Sequence, residues 1–159
     1  MIFIIDSNII IAALIKKGKT RELLIDSPFI LYSPEIMIKE IRKHENLILK
    51  KFGLNKDEFE ILFGLITENI TIVEKNIYYA KIEEANKLIG NVDEGDVPFL
   101  ALALSIKNNG IWTENVKHFE GQNNVRILNT KQVLNLDLDF INRFKRSLED
   151  LKSGRISKF

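Results

Sequence analysis

The chain alternates short apolar runs with longer helical stretches, and this alternation constrains its fold more than any other feature. Each run has four or five residues bounded by polar or turn-forming residues, which is typical of a strand buried in a sheet. The runs lie at residues 2–5, 29–33, 70–74, 110–113 and 125–128. Because helical stretches separate the first four runs, the pattern predicts an α/β fold with a parallel central sheet and helices on both of its faces.

Capping residues predict where the helices begin. Asn55 followed by Glu58 has the spacing of a capping box, Thr20 is a candidate N-cap, and Pro34 suits the first position of a helix. With these starts, the predicted helices cover residues 7–18, 20–27, 34–51, 55–66, 76–89, 96–109 and 130–136.

The composition excludes some classes of site. The chain has 159 residues, a formal net charge of +1 and no cysteine. Disulfides and thiolate metal sites are therefore excluded, and a surface that binds phosphates would have to be a local patch. The apolar start is not expected to be a signal peptide or membrane anchor, because Asp6 and Asn8 interrupt it and the run is short. We expect a cytoplasmic protein without a membrane segment.

Three carboxylates are crowded immediately before a strongly apolar stretch. Asp93, Glu94 and Asp96 precede "VPFLALALSI" at residues 97–106, which predicts a buried helix. Like charges repel at this range, and burying one is costly unless it is paired or bound to a cation. These acids are therefore either exposed to water or gathered around a positive group.

Two further acids are expected at the same edge of the sheet. Asp6 directly follows the first strand, Glu40 lies on the helix after the second, and Asp96 begins the helix that precedes the fourth. Ligands bind beyond the carboxyl ends of the strands in such sheets. Carboxylates without thiolates suit Mg²⁺ or Mn²⁺, which supports phosphate chemistry. The alternative is that these acids only cap helices or face solvent.

The segments "FIIDSNIIIAAL", "SPEIMIKEI", "DEGDVPFLALAL" and "IWTENVKHF" resemble, in this order, those of the PIN-domain family, which includes the VapC-type toxins and PilT N-terminus-like ribonucleases. The resemblance covers residues 1–136. It implies a compact three-layer α/β/α sandwich and a metal-dependent endoribonuclease. It also implies that Asp6, Glu40 and Asp96 are catalytic metal ligands and that Asp93 is an accessory acid.

The same resemblance implies that Asn8 and Thr113 orient the acids. The family usually has a fourth acid after the fourth strand, in a pattern such as T-x-N-x-x-D-F. A second family pattern is T-x-D. Here Asn115 and His118 stand at the two candidate places, so neither holds a carboxylate, and Asn115 offers a neutral oxygen. His118 is a candidate proton donor or phosphate contact, or alternatively an ordinary loop histidine. We therefore consider two main functions: an Mg²⁺- or Mn²⁺-dependent ribonuclease, and a weakly active or inactive scaffold that binds RNA or a protein. A third, an unrelated α/β phosphatase-like enzyme, has no nucleophile motif in the sequence to support it.

The basic run "KKGKTR" is a candidate contact for RNA phosphates. Its cationic residues are Lys16, Lys17, Lys19 and Arg21. A run this short is equally typical of a solvated turn, so both interpretations stay open.

Residues 137–159 form a predicted C-terminal segment beyond the PIN-like domain. They contain an amphipathic helix with apolar residues at helical spacing, and they resemble the C-terminal peptide of many antitoxins. We expect this tail to bind the domain, in cis or from a neighbouring subunit, with Arg155 or Lys158 near the carboxylates. The alternative is a terminal helix in the core or in a dimer interface. For the toxin function, the expected partners are an antitoxin and, since the family commonly dimerises, a second copy.

Overall fold

The computed structural model describes residues 1–154. Its five strands form one all-parallel sheet in the order β3-β2-β1-β4-β5. The strands are β1 (Ile2–Ile5), β2 (Ile30–Pro34), β3 (Ile70–Val73), β4 (Ile111–Trp112) and β5 (Ile127–Leu128). The parallel sheet predicted from the alternating pattern is confirmed.

Eight α-helices cover the sheet or extend from it. They are α1 (Ser7–Ile15), α2 (Lys19–Ile25), α3 (Ile36–Phe52), α4 (Lys56–Thr67), α5 (Lys75–Tyr78), α6 (Ile82–Ile89), α7 (Val97–Ser105) and α8 (Thr130–Lys152), as counted within residues 1–154. Helix α1 packs with α2, α3 and α4, whereas α7 packs with α5 and α6. The two groups lie on opposite faces, and the predicted three-layer α/β/α sandwich is confirmed.

The core lies between the sheet and the two helical layers. Strand β1 is covered on both faces, so Phe3, Ile4 and Ile5 are completely buried, as expected for a central parallel strand. On α7, Phe99 and Leu102 are equally buried. This helix packs against β1, β2 and β4 as well as α5 and α6, which explains why it is apolar on every side.

Several predicted boundaries are wrong. Pro34 is the last residue of β2, paired with Val73, and α3 begins two residues later. A strand end tolerates proline because its missing N–H need not join the ladder. Helix α2 has Gly18 rather than Thr20 as its N-cap. The helix predicted at 76–89 is broken by a 3₁₀ turn at Tyr79–Lys81. The capping box at the start of α4 is confirmed.

Helix α8 is continuous from Thr130 to Lys152 and passes through the boundary predicted after residue 136. Its start packs on the domain through the buried Val133. Beyond that, the apolar side chains are exposed, and this apolar face consists of Leu138, Phe140, Ile141, Phe144, Leu148 and Leu151. Binding of the tail to the domain stays a prediction, and its Arg155 and Lys158 lie outside the described residues. No helix within residues 1–154 combines the length and apolar character that a membrane crossing requires.

The strand order determines where a ligand would bind. The chain adds β2 and β3 on one side of β1, then returns to add β4 and β5 on the other side. In doubly wound sheets, this reversal opens a crevice beyond the carboxyl ends of the two flanking strands. Asp6 and Thr113 directly follow β1 and β4. The topology therefore places both residues in the crevice.

Candidate metal centre

The Asp6 side chain, at the end of β1, accepts two hydrogen bonds, one from a residue far away in sequence and one from a residue two positions away. Its Oδ2 accepts from Thr113 Oγ1 at 2.6 Å and from Asn8 Nδ2 at 2.8 Å. The backbone of Asp6 occupies the N-cap position of α1, but its side chain makes no capping hydrogen bond. The Asp6 side chain is therefore held by Thr113 and Asn8 and does not cap the helix.

Burial makes the Asp6 carboxylate difficult to ionise. The residue is only 3% exposed, and its pKa is raised from 3.8 to about 7. Desolvation is the largest cause, and the charges of Asp96 and Glu40 raise the pKa further, while the Thr113 hydroxyl opposes them. The three acids predicted from separate segments therefore act on one another electrostatically.

Glu40 reaches the same place from the second turn of α3. Its Oε2 accepts a hydrogen bond from the Ser7 hydroxyl. Burial raises the pKa of Glu40, and the charges of Asp96 and Asp93 raise it further, whereas Ser7 lowers it. The sequence analysis did not identify Ser7. The available signal was a small hydroxyl residue directly after the aspartate that ends β1.

Asp93 and Asp96 are arranged by a 3₁₀ turn ahead of α7. Asp93 Oδ1 accepts from the backbone N–H of Gly95 at 2.8 Å, which caps the turn at Glu94–Asp96. Asp96 is buried, and desolvation followed by the charge of Asp93 raises its pKa. Glu94 is exposed and is not among the charges that act on Asp6, Glu40 or Asp96.

His118 completes the group. It lies on a 3₁₀ helix, Val116–Phe119, which is anchored by the buried Phe119. Its Nδ1 is 2.6 Å from Asp96 Oδ2 and 3.5 Å from Asp93 Oδ2. One donor atom from each of these three residues lies within 4.8 Å of the other two. A nitrogen donor therefore stands where the expected fourth acid is missing.

Thr113 organises the polar network behind the acids. It is fully buried, and its Oγ1 accepts from Asn8 Nδ2 at 3.1 Å and from the backbone N–H of Asn115 at 3.0 Å. Asn8 Oδ1 in turn accepts from the backbone N–H of Glu114 at 3.3 Å. Asn115 thus supports Thr113 through its backbone. Its predicted role as an oxygen ligand stays a prediction.

The donors fit a divalent cation. Asp6, Glu40, Asp93 and Asp96 are close enough to interact electrostatically, and burial and mutual repulsion raise the pKa values of Asp6, Glu40 and Asp96. A divalent cation would remove this repulsion, and carboxylate oxygens are the ligands that Mg²⁺ and Mn²⁺ prefer. Asp93, Asp96 and His118 have donor atoms close enough to hold such an ion. Within residues 1–154, Asp6 and Glu40 lie outside this group and interact electrostatically with its acids, and their role as metal ligands stays a prediction.

The basic run lies away from this crevice. It follows α1, whose first residue borders Asp6 and whose nine residues extend about 13 Å. Arg21 is engaged there, since its Nε donates to Ala13 O at 2.7 Å. Lys19 pairs with Glu22 at 2.7 Å, and Lys16 and Lys17 are exposed. The role of these residues in RNA binding stays a prediction.

Comparison with known proteins agrees with this geometry. A family model described as a PIN domain matches residues 4–138, which is most of the chain. No curated protein matches the chain significantly. PIN domains are in general nucleases that act on RNA and typically use a divalent metal ion, and the crevice holds a group of side chains that could bind one. The chain belongs to the PIN-domain family.

Proposed function

We propose that this protein is a cytoplasmic endoribonuclease that hydrolyses phosphodiester bonds of RNA with Mg²⁺ or Mn²⁺. The observation that carries the proposal is the electrostatic interaction among Asp6, Glu40, Asp93 and Asp96, which come from three separate segments. Asp6 follows β1, where the strand order reverses. Such a cluster of like charges is costly to maintain without a cation.

The side chains divide into ligands and positioning groups. Asp6, Glu40 and Asp96 would hold the metal, with Asp93 as an accessory acid. When bound, the metal supplies a more acidic water and charge neutralisation at a phosphate oxygen. Thr113 and Asn8 fix the orientation of Asp6 by donating hydrogen bonds to its Oδ2.

We propose that His118 also shapes the choice of metal. Its Nδ1 lies beside Asp96 and Asp93, so the site offers a nitrogen donor in addition to its oxygens. An imidazole nitrogen suits transition metals better than Mg²⁺, which demands oxygen ligands. His118 therefore favours Mn²⁺ over Mg²⁺ at this site.

The test is Mn²⁺-dependent cleavage of a mixed RNA panel by the purified chain. Asp6→Asn removes the proposed central ligand, and Asp139→Asn removes an exposed carboxylate on α8 as a matched control. We expect cleavage by the wild type and by the control but none by Asp6→Asn. Equal cleavage by Asp6→Asn, or no cleavage by the wild type at any metal concentration, would refute the proposal.

A second function is favoured by the missing fourth acid, whose place His118 takes. On this alternative, the domain binds RNA or a protein without cutting RNA. Binding of labelled RNA that is never cleaved, together with measurable Mn²⁺ binding, would select the scaffold over the nuclease.

We also propose a toxin role with a protein partner on the apolar face of α8. Leu138, Phe144 and Leu151 are each more than half exposed, and such faces mark interaction sites. An antitoxin and a second copy of this chain are the candidate partners. Light scattering of the isolated chain distinguishes them, because a dimer that Phe144→Ser converts to a monomer would identify the second copy.

A further inference from the structure

A groove leads away from the carboxylates along one side of α3. Its first part, of about 410 Å³, lies between α3 and the start of α7 and is lined by Glu40, Lys43 and Gly95. Its second part, of about 470 Å³, continues to Lys75 and Tyr78 on α5. The two parts share lining residues from α3 and from the start of α7, so they form one continuous groove. The shared residues are Ile36, Lys39, Glu94 and Pro98.

The groove contains lysines that form no ion pair with another residue in the described part of the chain. Lys39 and Lys43 are one turn apart on α3, and Lys75 lies at the far end. Within residues 1–154, none of these three forms an ion pair, whereas Lys19, Lys81 and Lys87 each do. An anionic strand approaching four carboxylates is repelled. Unpaired cations directly beside Glu40 would offset that repulsion.

The groove also contains carboxylates, and they limit its affinity. Glu35 and Glu94 line it together with the lysines. Leaving aside Glu40, which belongs to the candidate metal centre, three cations face two anions. The resulting attraction is modest and local.

An exposed aromatic ring stands at the far end of the groove. Tyr79 is 66% exposed, and Lys75 Nζ lies 5.7 Å from its ring centroid. Tyr79 borders a recess that shares Ile82 and Asn86 with the groove. Exposed aromatic rings beside cations bind single-stranded nucleic acids by stacking on bases without sequence preference.

We propose that this groove binds single-stranded RNA leading to the bond that is cut. Lys39 and Lys43 contact the phosphates next to the carboxylates, and Lys75 with Tyr79 holds a nucleotide farther along. A single strand is favoured because its unstacked bases can reach Tyr79, whereas the bases of a duplex are stacked inside it. This inference rests on the proposed nuclease function for the position of the cut, but the binding groove can be tested separately.

The test is binding of fluorescent single-stranded oligouridine in EDTA, where metal-dependent cleavage cannot occur, at about 50 to 300 mM NaCl. The variant is Lys39→Ala/Lys43→Ala, and the matched control is Lys50→Ala/Lys107→Ala. All four lysines are exposed, and both control positions lie outside the groove. Circular dichroism verifies that both variants fold.

The slope of log affinity against log salt is negative, and losing two phosphate contacts should reduce its magnitude by about 1.4. At about 0.15 M salt, this corresponds to a Kd increase of roughly tenfold. The control variant should retain the wild-type slope. Tyr79→Ala should weaken binding without changing the slope, because stacking releases no counterions.

Three outcomes would overturn the proposal that the groove binds single-stranded RNA. The first is a wild-type salt slope for Lys39→Ala/Lys43→Ala, and the second is equal affinity of the wild type for duplex and single-stranded RNA. The third is a reduced slope in Lys16→Ala/Lys17→Ala instead. Cleavage is measured separately with Mn²⁺. If the wild type cuts RNA and Lys39→Ala/Lys43→Ala has the wild-type salt slope, only the proposed binding groove is refuted. If the wild type never cuts RNA but the salt slope of Lys39→Ala/Lys43→Ala is reduced as expected, the binding groove is supported and the nuclease function is refuted.

Discussion

Asp6→Asn should stabilise the metal-free protein at alkaline pH, although it removes a proposed metal ligand. Asp6 is 3% exposed and its pKa is raised from 3.8 to about 7 by burial and by the nearby charges of Asp96 and Glu40. Between these two pH values, the folded protein holds a proton that the unfolded chain has lost. Stability therefore falls as the pH rises from about 4 to 7, and the full loss is present above pH 7.

The size of the effect follows from that shift. A change from 3.8 to about 7 corresponds to about 4 kcal/mol of lost stability above pH 7. Asparagine removes this loss, but it also weakens the hydrogen bond from Thr113, which costs about 2 kcal/mol. We expect a net gain of about 2 kcal/mol at pH 8 and about none at pH 5, where most of the electrostatic cost is absent.

The assay is urea unfolding in EDTA at pH 5 and pH 8, with Asp139→Asn as the control for loss of one exposed carboxylate. The change in the stability difference between pH 5 and pH 8 is more decisive than the difference at either pH. The cost of the weakened hydrogen bond from Thr113 is the same at both pH values, so it cancels in that change. The free energy of unfolding of Asp6→Asn, relative to wild type, should increase by about 2–3 kcal/mol from pH 5 to pH 8. The control should show no such increase.

Equal stability differences at the two pH values would refute the argument that a buried carboxylate cluster destabilises the fold. Saturating Mn²⁺ provides an independent check, since an ion that binds only the folded state stabilises it. Mn²⁺ should raise the Tm of the wild type more than that of Asp6→Asn. An equal rise in both would show that Asp6 does not contribute to metal binding.

Three further predictions concern single side chains. His118→Asp should lower the ratio of Mn²⁺ to Mg²⁺ affinity roughly tenfold in calorimetry, because it replaces nitrogen with oxygen, and an unchanged ratio would exclude His118 as a ligand. Ser7→Ala removes the hydroxyl that lowers the pKa of Glu40. Cleavage at acidic pH should fall roughly fivefold and recover as the pH rises. Gly110→Ala should cost about 2 kcal/mol or more in urea unfolding, because its φ is +143° and a Cβ would lie 2.5 Å from a backbone oxygen. Gly64→Ala, in open space on α4, should be neutral or stabilising.

Local patterns were sufficient to predict most of the strands and the acidic residues. The run at residues 2–5 is apolar because β1 is covered on both faces, and Asp6 marks its end. The apolar stretch after Asp96 is likewise buried as α7. Patterns were less reliable where two signals conflicted. Proline is often the first residue of a helix, which is why the sequence predicts a helix that begins at Pro34. The pairing of β2 with β3 instead extends the strand through Pro34.

Contacts between distant residues required the folded chain. Thr113 donates to Asp6 across 107 positions, and His118 lies against Asp96 across 22. The sequence identified Asp6, Asp96 and Thr113 through their resemblance to a family pattern, but it did not identify Ser7 as the donor to Glu40. That contact depends on how α3 packs against α1, and no spacing rule relates the two residues.

The sequence by itself determined the fold class and the position of Asp6 at a strand end, because buried strands and their ends leave local signatures in residue type and order. The catalytic role of Asp6, Glu40 and Asp96 stays a prediction. Only the tertiary structure decided that the strand order reverses at β1, that His118 stands beside Asp93 and Asp96, and that Lys39 and Lys43 rather than the basic run border the carboxylates. The physical reason is that sheet order and helix packing bring these groups together. Both depend on the free energy of the whole core rather than on any local pattern.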